Sequence, residues 1–246
     1  MPKDTIILRY QQRCYAEYST SIGLAEIYHY PTGNPIRPLP PVQTARRALM
    51  IVGAYPSARF ESRRSPTTGR KRLIPVADNL QPFGDEVYFD GTRVRRLESG
   101  ATIREFLLDP LDVRLDDCWV TDLVKVFLFK PEHADSCADV VASFAAPILR
   151  PSLLSLGRKS LAWLQRECEI CEPGVIVTLG EDVARVVTSA KTPTNGLLAP
   201  TPSRPESLGG RLTFHCPHPD ACRRFQKWRD RMESTVPAIR NEMKML

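Results

Sequence analysis

Four short apolar runs in this chain each end in residues equipped for chemistry. Ala48 to Gly53 leads into Ala54-Tyr55-Pro56-Ser57, and Cys118 to Thr121 leads into Asp122. Val175 to Leu179 leads into Gly180, and Leu212 to Cys216 leads into Pro217-His218-Pro219-Asp220. A carboxylate at such a place accepts hydrogen bonds when ionised and donates one when protonated. An imidazole braced by two prolines can donate a hydrogen bond to negative charge as it develops on a ligand. In an open α/β sheet the ligand site lies just beyond the carboxyl ends of the strands, so these tails should converge on one pocket.

The elements that must position them follow from the patterning. The runs are continuous rather than alternating in Val, Ile and Leu, as expected of parallel strands buried on both faces. Each is separated from the next by enough residues for a helical crossover, which predicts an α/β fold: a three-layer αβα arrangement around a central four-stranded parallel sheet. Helices are expected over Thr102 to Leu108, Ala138 to Leu149, Ser152 to Glu169 and Glu181 to Ala190. A further basic amphipathic helix is expected over Ala221 to Arg231, with Phe225 and Trp228 on one face. Thr192 to Gly210 is rich in Pro and Gly and reads as a long loop. Residues 1–246 are read as a single domain. Its first 47 residues carry an outer helix, Thr5 to Tyr28, and a proline-rich strap from Pro31 to Pro41 that cannot continue a helix.

Composition limits the function. The chain has 246 residues, 42% hydrophobic and 25% charged, ordinary values for a globular protein, and no apolar run long enough to span a bilayer. Met1 to Arg13 lacks the apolar core of a secretory signal, so a cytoplasmic location without membrane contact is expected. A net charge of +6 favours a polyanionic partner. Much of that charge is clustered: Arg59, Arg63, Arg64, Arg70, Lys71 and Arg72 are opposed by Glu61, and Arg93, Arg95 and Arg96 form a second group. Seven cysteines in such a protein read as reduced thiols. Cys168 and Cys171 form a C-x-x-C pair with no second pair of similar spacing, and the surrounding Leu161, Leu164 and Ile170 place both thiols on a helix. No metal and no cofactor is expected.

The motifs taken together resemble the uracil-DNA glycosylase superfamily from about Ala48 to Phe225. Val52-Gly53-Ala54-Tyr55-Pro56-Ser57 is similar to its first motif, a strand ending in glycine, two variable residues and proline. Pro82-Phe83-Gly84-Asp85-Glu86-Val87 resembles the segment that supplies an aromatic stacking platform. Trp119 to Lys125 resembles the strand whose terminal residue reads the base edge, and His218-Pro219-Asp220 stands where the family has His-Pro-Ser. The resemblance implies a monofunctional DNA glycosylase that takes a flipped base into a pocket and hydrolyses its N-glycosidic bond. Phe83 would stack the base, Asp122 would read its edge, and His218 would stabilise the leaving base, with Ala54, Tyr55 and Ser57 lining the pocket. Arg59, Lys125, Arg223 and Arg224 would contact phosphates. DNA is then the partner, with no obligate protein partner evident.

The departures from the family narrow this expectation. Tyr55 stands where several branches carry a water-positioning Asp or Asn, which shifts that role to Asp78 or Asn79, with Glu61 and Asp85 behind them. Asp122 stands where uracil-specific members carry asparagine. A carboxyl group that shares one proton with cytosine N3 while accepting from N4 suits a cytosine-type base, and burial favours the protonated form that sharing needs. Ser57 replaces a tyrosine that blocks substituents at C5 in the best-studied branch. The expected substrate is a C5-modified cytosine, such as the glucosylated hydroxymethylcytosine of phage DNA, in a defence role. The alternatives are uracil repair and an inactive DNA-binding member of the fold. Only Cys14 lies upstream of the first motif, so the iron-sulfur cluster of one branch is not expected.

Overall fold

A computed structural model of the chain describes residues 3–24, 28–84 and 86–245. Helix α1 (Lys3–Ser21) comes first, and β1 (Tyr28–His29) pairs with β2 (Pro35–Ile36). Strand β3 (Leu49–Gly53) is followed by two antiparallel hairpins, β4 (Ala58–Arg64) with β5 (Lys71–Asp78) and β6 (Val87–Phe89) with β7 (Val94–Arg96). Helix α2 (Glu98–Ile103) runs through a π turn at Arg104–Leu108 into α3 (Asp109–Leu111), ahead of β8 (Trp119–Asp122). Then come α4 (Pro131–Val140), α5 (Leu153–Cys171), β9 (Val175–Leu179), α6 (Glu181–Thr188) and α7 (Thr194–Leu197). The chain closes with β10 (Thr213–Cys216), α8 (Pro219–Arg224) and α9 (Gln226–Lys244).

The four expected strands form one sheet in the order β10-β9-β3-β8, parallel throughout, and every residue in them is buried. Alternate side chains feed two cores. Met50, Val52, Trp119 and Ile176 pack with residues of α1, α5 and α6, while Ile51, Val120, Val177 and Phe214 pack with the π turn and α9. This is the three-layer αβα architecture, built because strands apolar on both faces must be covered on both.

The strap has a structural task. Val120 N donates to the Gln43 carbonyl at 3.0 Å, Ala45 N to Cys118 O at 3.2 Å and Leu39 N to Lys125 O at 2.7 Å. Residues 39–45 thus run antiparallel along β8 and cover an edge that would otherwise expose unpaired backbone.

Several local expectations are corrected. The arginine-rich stretches, for which no strand was expected, fold into the two hairpins. The helix expected over Ala138 to Leu149 lies earlier, at Pro131–Val140, where Pro131 starts it favourably. The outer helix ends at Ser21, and Ala25 to Ile27 of its expected span lie outside the described residues. The helix expected over Ala221 to Arg231 is interrupted at Phe225, which is extended (φ −135°, ψ 118°) and 58% exposed. Cys168 and Cys171 do lie on a helix, α5, and both are buried. Among the described residues no helix is long and apolar enough to cross a membrane.

Candidate active site

Gly53 and Asp122 are register partners at the ends of β3 and β8. The space that a side chain at position 53 would need is already taken. A β-carbon there would collide with Asp122 Oδ1 and lie 2.8 Å from both Cε2 and Cζ of Phe83. The Asp122 carboxyl and the Phe83 ring therefore meet over a single glycine.

Phe83 reaches that position in a left-handed conformation (φ 52°) that costs a non-glycine residue on the order of 1 kcal/mol or more. Its surroundings hold it there. Gly84 N closes a turn on Gln81 O, and Gln43 of the strap donates to the Gln81 side chain at 2.8 Å. Gly100 of α2 packs so tightly that a β-carbon would lie 2.8 Å from Phe83 O and 2.6 Å from Gly84 O.

Asp122 is 3% exposed. Burial pushes its carboxyl up to about 7, the cation of Lys125 opposes that rise and Glu167 adds to it. Lys125 is itself wholly buried. Its Nζ donates at 2.5 Å to the Asp122 carbonyl, to Thr121 Oγ1 and to Glu167 Oε1. Glu167 also accepts from Trp119 Nε1 at 2.9 Å and from the Tyr10 hydroxyl at 2.6 Å. The expectation that Lys125 contacts phosphate is therefore wrong. A side chain with no exposed surface cannot reach a phosphate, and a lysine in sequence carries no mark of whether it is buried.

His218 caps α8, its Nδ1 accepting from Asp220 N at 3.2 Å. That bond leaves the proton on Nε2, which carries no hydrogen bond among the described residues. Burial lowers its pKa, Asp220 opposes this, and the cations of Lys130, Arg150 and Arg224 lower it further. The ring is a neutral donor with Nε2–H available. His215, on the preceding strand, differs. Both of its nitrogens are occupied, by Thr178 at 2.7 Å and Ser203 at 2.8 Å, so it serves the core.

Gly180 offers no side chain, yet its backbone matters here. At φ 93° and ψ 158° it occupies a region open essentially to glycine. It sets the end of β9 against His218, so that a β-carbon at position 180 would lie 3.6 Å from the β-carbon of His218.

Asp78 and Asn79 are separated by their partners. Both Asp78 oxygens are in use, one accepting from the Tyr30 hydroxyl at 2.8 Å and the other from Arg37 N at 3.0 Å. Asn79 is 5% exposed and its Oδ1 has no partner. Of the other two water candidates, Glu61 pairs with Arg63 at 2.7 Å, and Asp85 lies outside the described residues.

Tyr55 packs edge-on against Phe127, and its hydroxyl bonds Arg150, which holds Asp182 of α6 at 2.7 Å. The ring thus ties the first strand end to the third. Ala54 O accepts from Val124 N at 3.0 Å, and Ser57 is half-buried at the start of β4. Arg59 is paired with Glu86 at 2.6 Å. Arg223 pairs with Glu98 and Asp220, Arg224 with Asp220 at 2.5 Å, and both remain exposed beside the His218 turn. Arg150 and Lys130, which bear on His218, were missed at the level of sequence. Nothing in their spacing marks them, because they come from loops that only the fold brings near.

A groove of about 720 Å³ also runs between α1 and α5, lined by Tyr10, Arg13, Trp163 and Glu169. It lies on the outer helical layer and includes none of the strand-end tails.

Fold and site together define a three-layer α/β protein whose parallel strands end in a buried carboxyl packed with an aromatic ring at Gly53 and in an imidazole beside Gly180. The sequence profile of the Uracil DNA glycosylase superfamily matches residues 40–240, and the chain belongs to that superfamily. Membership places it in a class of DNA glycosylases, hydrolases of N-glycosyl bonds in DNA. No curated protein gives a significant match to the chain.

Proposed function

We propose that the chain is a monofunctional glycosylase that releases a cytosine-type base, enlarged at C5, from DNA and leaves an abasic site. The observation that carries this reading is the buried carboxyl of Asp122 against Gly53 and Phe83, held near half-protonation at neutral pH. One carboxyl oxygen accepts from cytosine N4, and the other shares its proton with N3. That proton offsets the negative charge the base gathers as it leaves. Cytosine N3 is a better proton acceptor than uracil O4, so the sharing favours cytosine.

In the reaction the N-glycosidic bond breaks with its electron pair going to the base, and the sugar becomes cationic. His218 Nε2–H donates to the base oxygen where the charge collects. Asn79 Oδ1, buried and unpartnered, accepts a hydrogen bond from the attacking water, whose second proton is lost to solvent. Serine at position 57 is smaller than tyrosine, which suits a base enlarged at C5. Glucosylated hydroxymethylcytosine of phage DNA is the substrate we assign, which makes the role one of defence.

A second reading, uracil release, is favoured by the same protonation. A neutral carboxyl accepts from uracil N3–H and donates to O4, as an amide would. Purified protein incubated with uracil-containing DNA, with cytosine DNA and with glucosylated phage DNA separates the readings. Abasic sites in the glucosylated DNA are expected. Release from uracil DNA alone would replace the first reading with the second, and no release from any DNA would leave a binding protein.

A further inference from the structure

The β6–β7 hairpin grows out of the stacking platform. It begins just after Phe83 and Gly84, and it returns through buried Leu97 into α2, whose Gly100 clamps the backbone of both residues. Register and alternation divide its side chains. Val87 opposes Arg96 and Phe89 opposes Val94, so these four share one face, while Tyr88 and Arg95 share the other.

The Tyr88 face is occupied. The Tyr88 hydroxyl accepts from Phe60 N at 3.1 Å and Asp90 O accepts from Ser62 N at 2.6 Å, which seat the hairpin on β4, while Arg95 pairs with Asp90 inside the hairpin. The opposite face is open: Val87 is 61% exposed, Phe89 66% and Val94 68%. Exposed Arg93 stands at the tip of this hairpin, and the β4–β5 hairpin on which its other face rests carries exposed Arg64, Arg70 and Lys71. An exposed aromatic-bearing face on a hairpin with a cationic tip, seated on a cationic neighbour, matches the surface that holds single-stranded nucleic acid, where bases stack on rings and the backbone meets cations. Paired bases could not present their faces to Phe89.

From this we infer that the β6–β7 hairpin binds unpaired nucleotides of the DNA strand that flank the base stacked on Phe83, with Phe89 as a second stacking surface. The inference rests on the reading of the Phe83 pocket as a base site. Binding of a labelled single-stranded oligonucleotide and of the matching duplex is measured for wild type, Phe89→Ser and Phe89→Trp. Phe89→Ser is expected to weaken single-strand binding about fivefold or more, duplex binding is expected to change less, and Phe89→Trp is expected to keep wild-type affinity. Equal single-strand affinity of wild type and Phe89→Ser overturns the proposal. So does an equal loss on duplex, or a wild-type dimer that Phe89→Ser converts to monomer with DNA affinity intact. Base release assayed in the same samples keeps the two readings apart. The predicted binding pattern without release removes the glycosylase reading alone, and release without the pattern removes the hairpin assignment alone.

Discussion

Gly53 and Asp122 face each other across the β3–β8 pair so closely that a methyl group on Gly53 would overlap the Asp122 carboxyl. Phe83 closes the same space from the other side. Gly53→Ala must displace one of the two. Overpacking of this kind costs about 1 to 3 kcal/mol. Thermal unfolding is expected to show that loss together with a large fall in base release, whereas unchanged activity would mean that neither side chain contacts the base.

Asp122→Asn removes the shareable proton. Release of modified cytosine by wild type is expected to fall as pH rises through about 7, where the buried carboxyl ionises. The variant is expected to lose that dependence and shift its preference toward uracil by roughly tenfold to a hundredfold, the worth of one mismatched buried polar group. Wild-type release of modified cytosine by the variant, with uracil untouched, would show that Asp122 does not read the base.

The same carboxyl links folding to pH. Its folded pKa lies above the ordinary 3.8, so the native state holds a proton that the unfolded chain has lost. Its contribution to stability is complete below the unfolded value and declines as pH rises toward about 7. Melting curves across that range are expected to show a shallower decline for Asp122→Asn than for wild type.

Burial lowers the pKa of His218, and the proposed mechanism uses its ring as a neutral donor. Activity is therefore expected to persist as pH rises through the ordinary histidine value of 6.5 and to show no loss there attributable to this ring. His218→Ala is expected to cut kcat about 10² to 10³-fold with little change in KM, the cost of one donor to developing charge. A variant that lost binding instead would assign the ring to substrate capture.

Lys125 and Glu167 form a wholly buried pair beneath Asp122. Removing one partner strands the other charge, so Lys125→Met or Glu167→Gln alone is expected to destabilise by about 3 to 5 kcal/mol in chemical denaturation. The double variant Lys125→Met, Glu167→Gln is expected to recover part of that loss. Its affinity for DNA is expected to equal that of wild type at low salt, since Lys125 reaches no phosphate.

The sheet was legible because its determinants are local. Strands apolar on both faces, spaced for helical crossovers and ending in polar tails, announce a parallel sheet and the end at which it works. Phe83 and His218 were singled out by the motifs around them. The hairpins were not, since Arg-rich alternation at β4 to β7 looks like solvated charge until it pairs.

By itself the sequence determined the residue types available at the strand ends and the order in which they arrive. Tertiary structure alone decided which of them were free to act. Asp78 and Asn79 are neighbours, yet Tyr30 and Arg37 occupy the first and leave the second with an unpartnered oxygen. Lys125 stands three residues from Asp122, yet Glu167 of a distant helix draws it into the core. The reason is that hydrogen-bond and charge satisfaction depends on partners far away in the chain, whereas the propensity to form a strand depends on the residues of the strand.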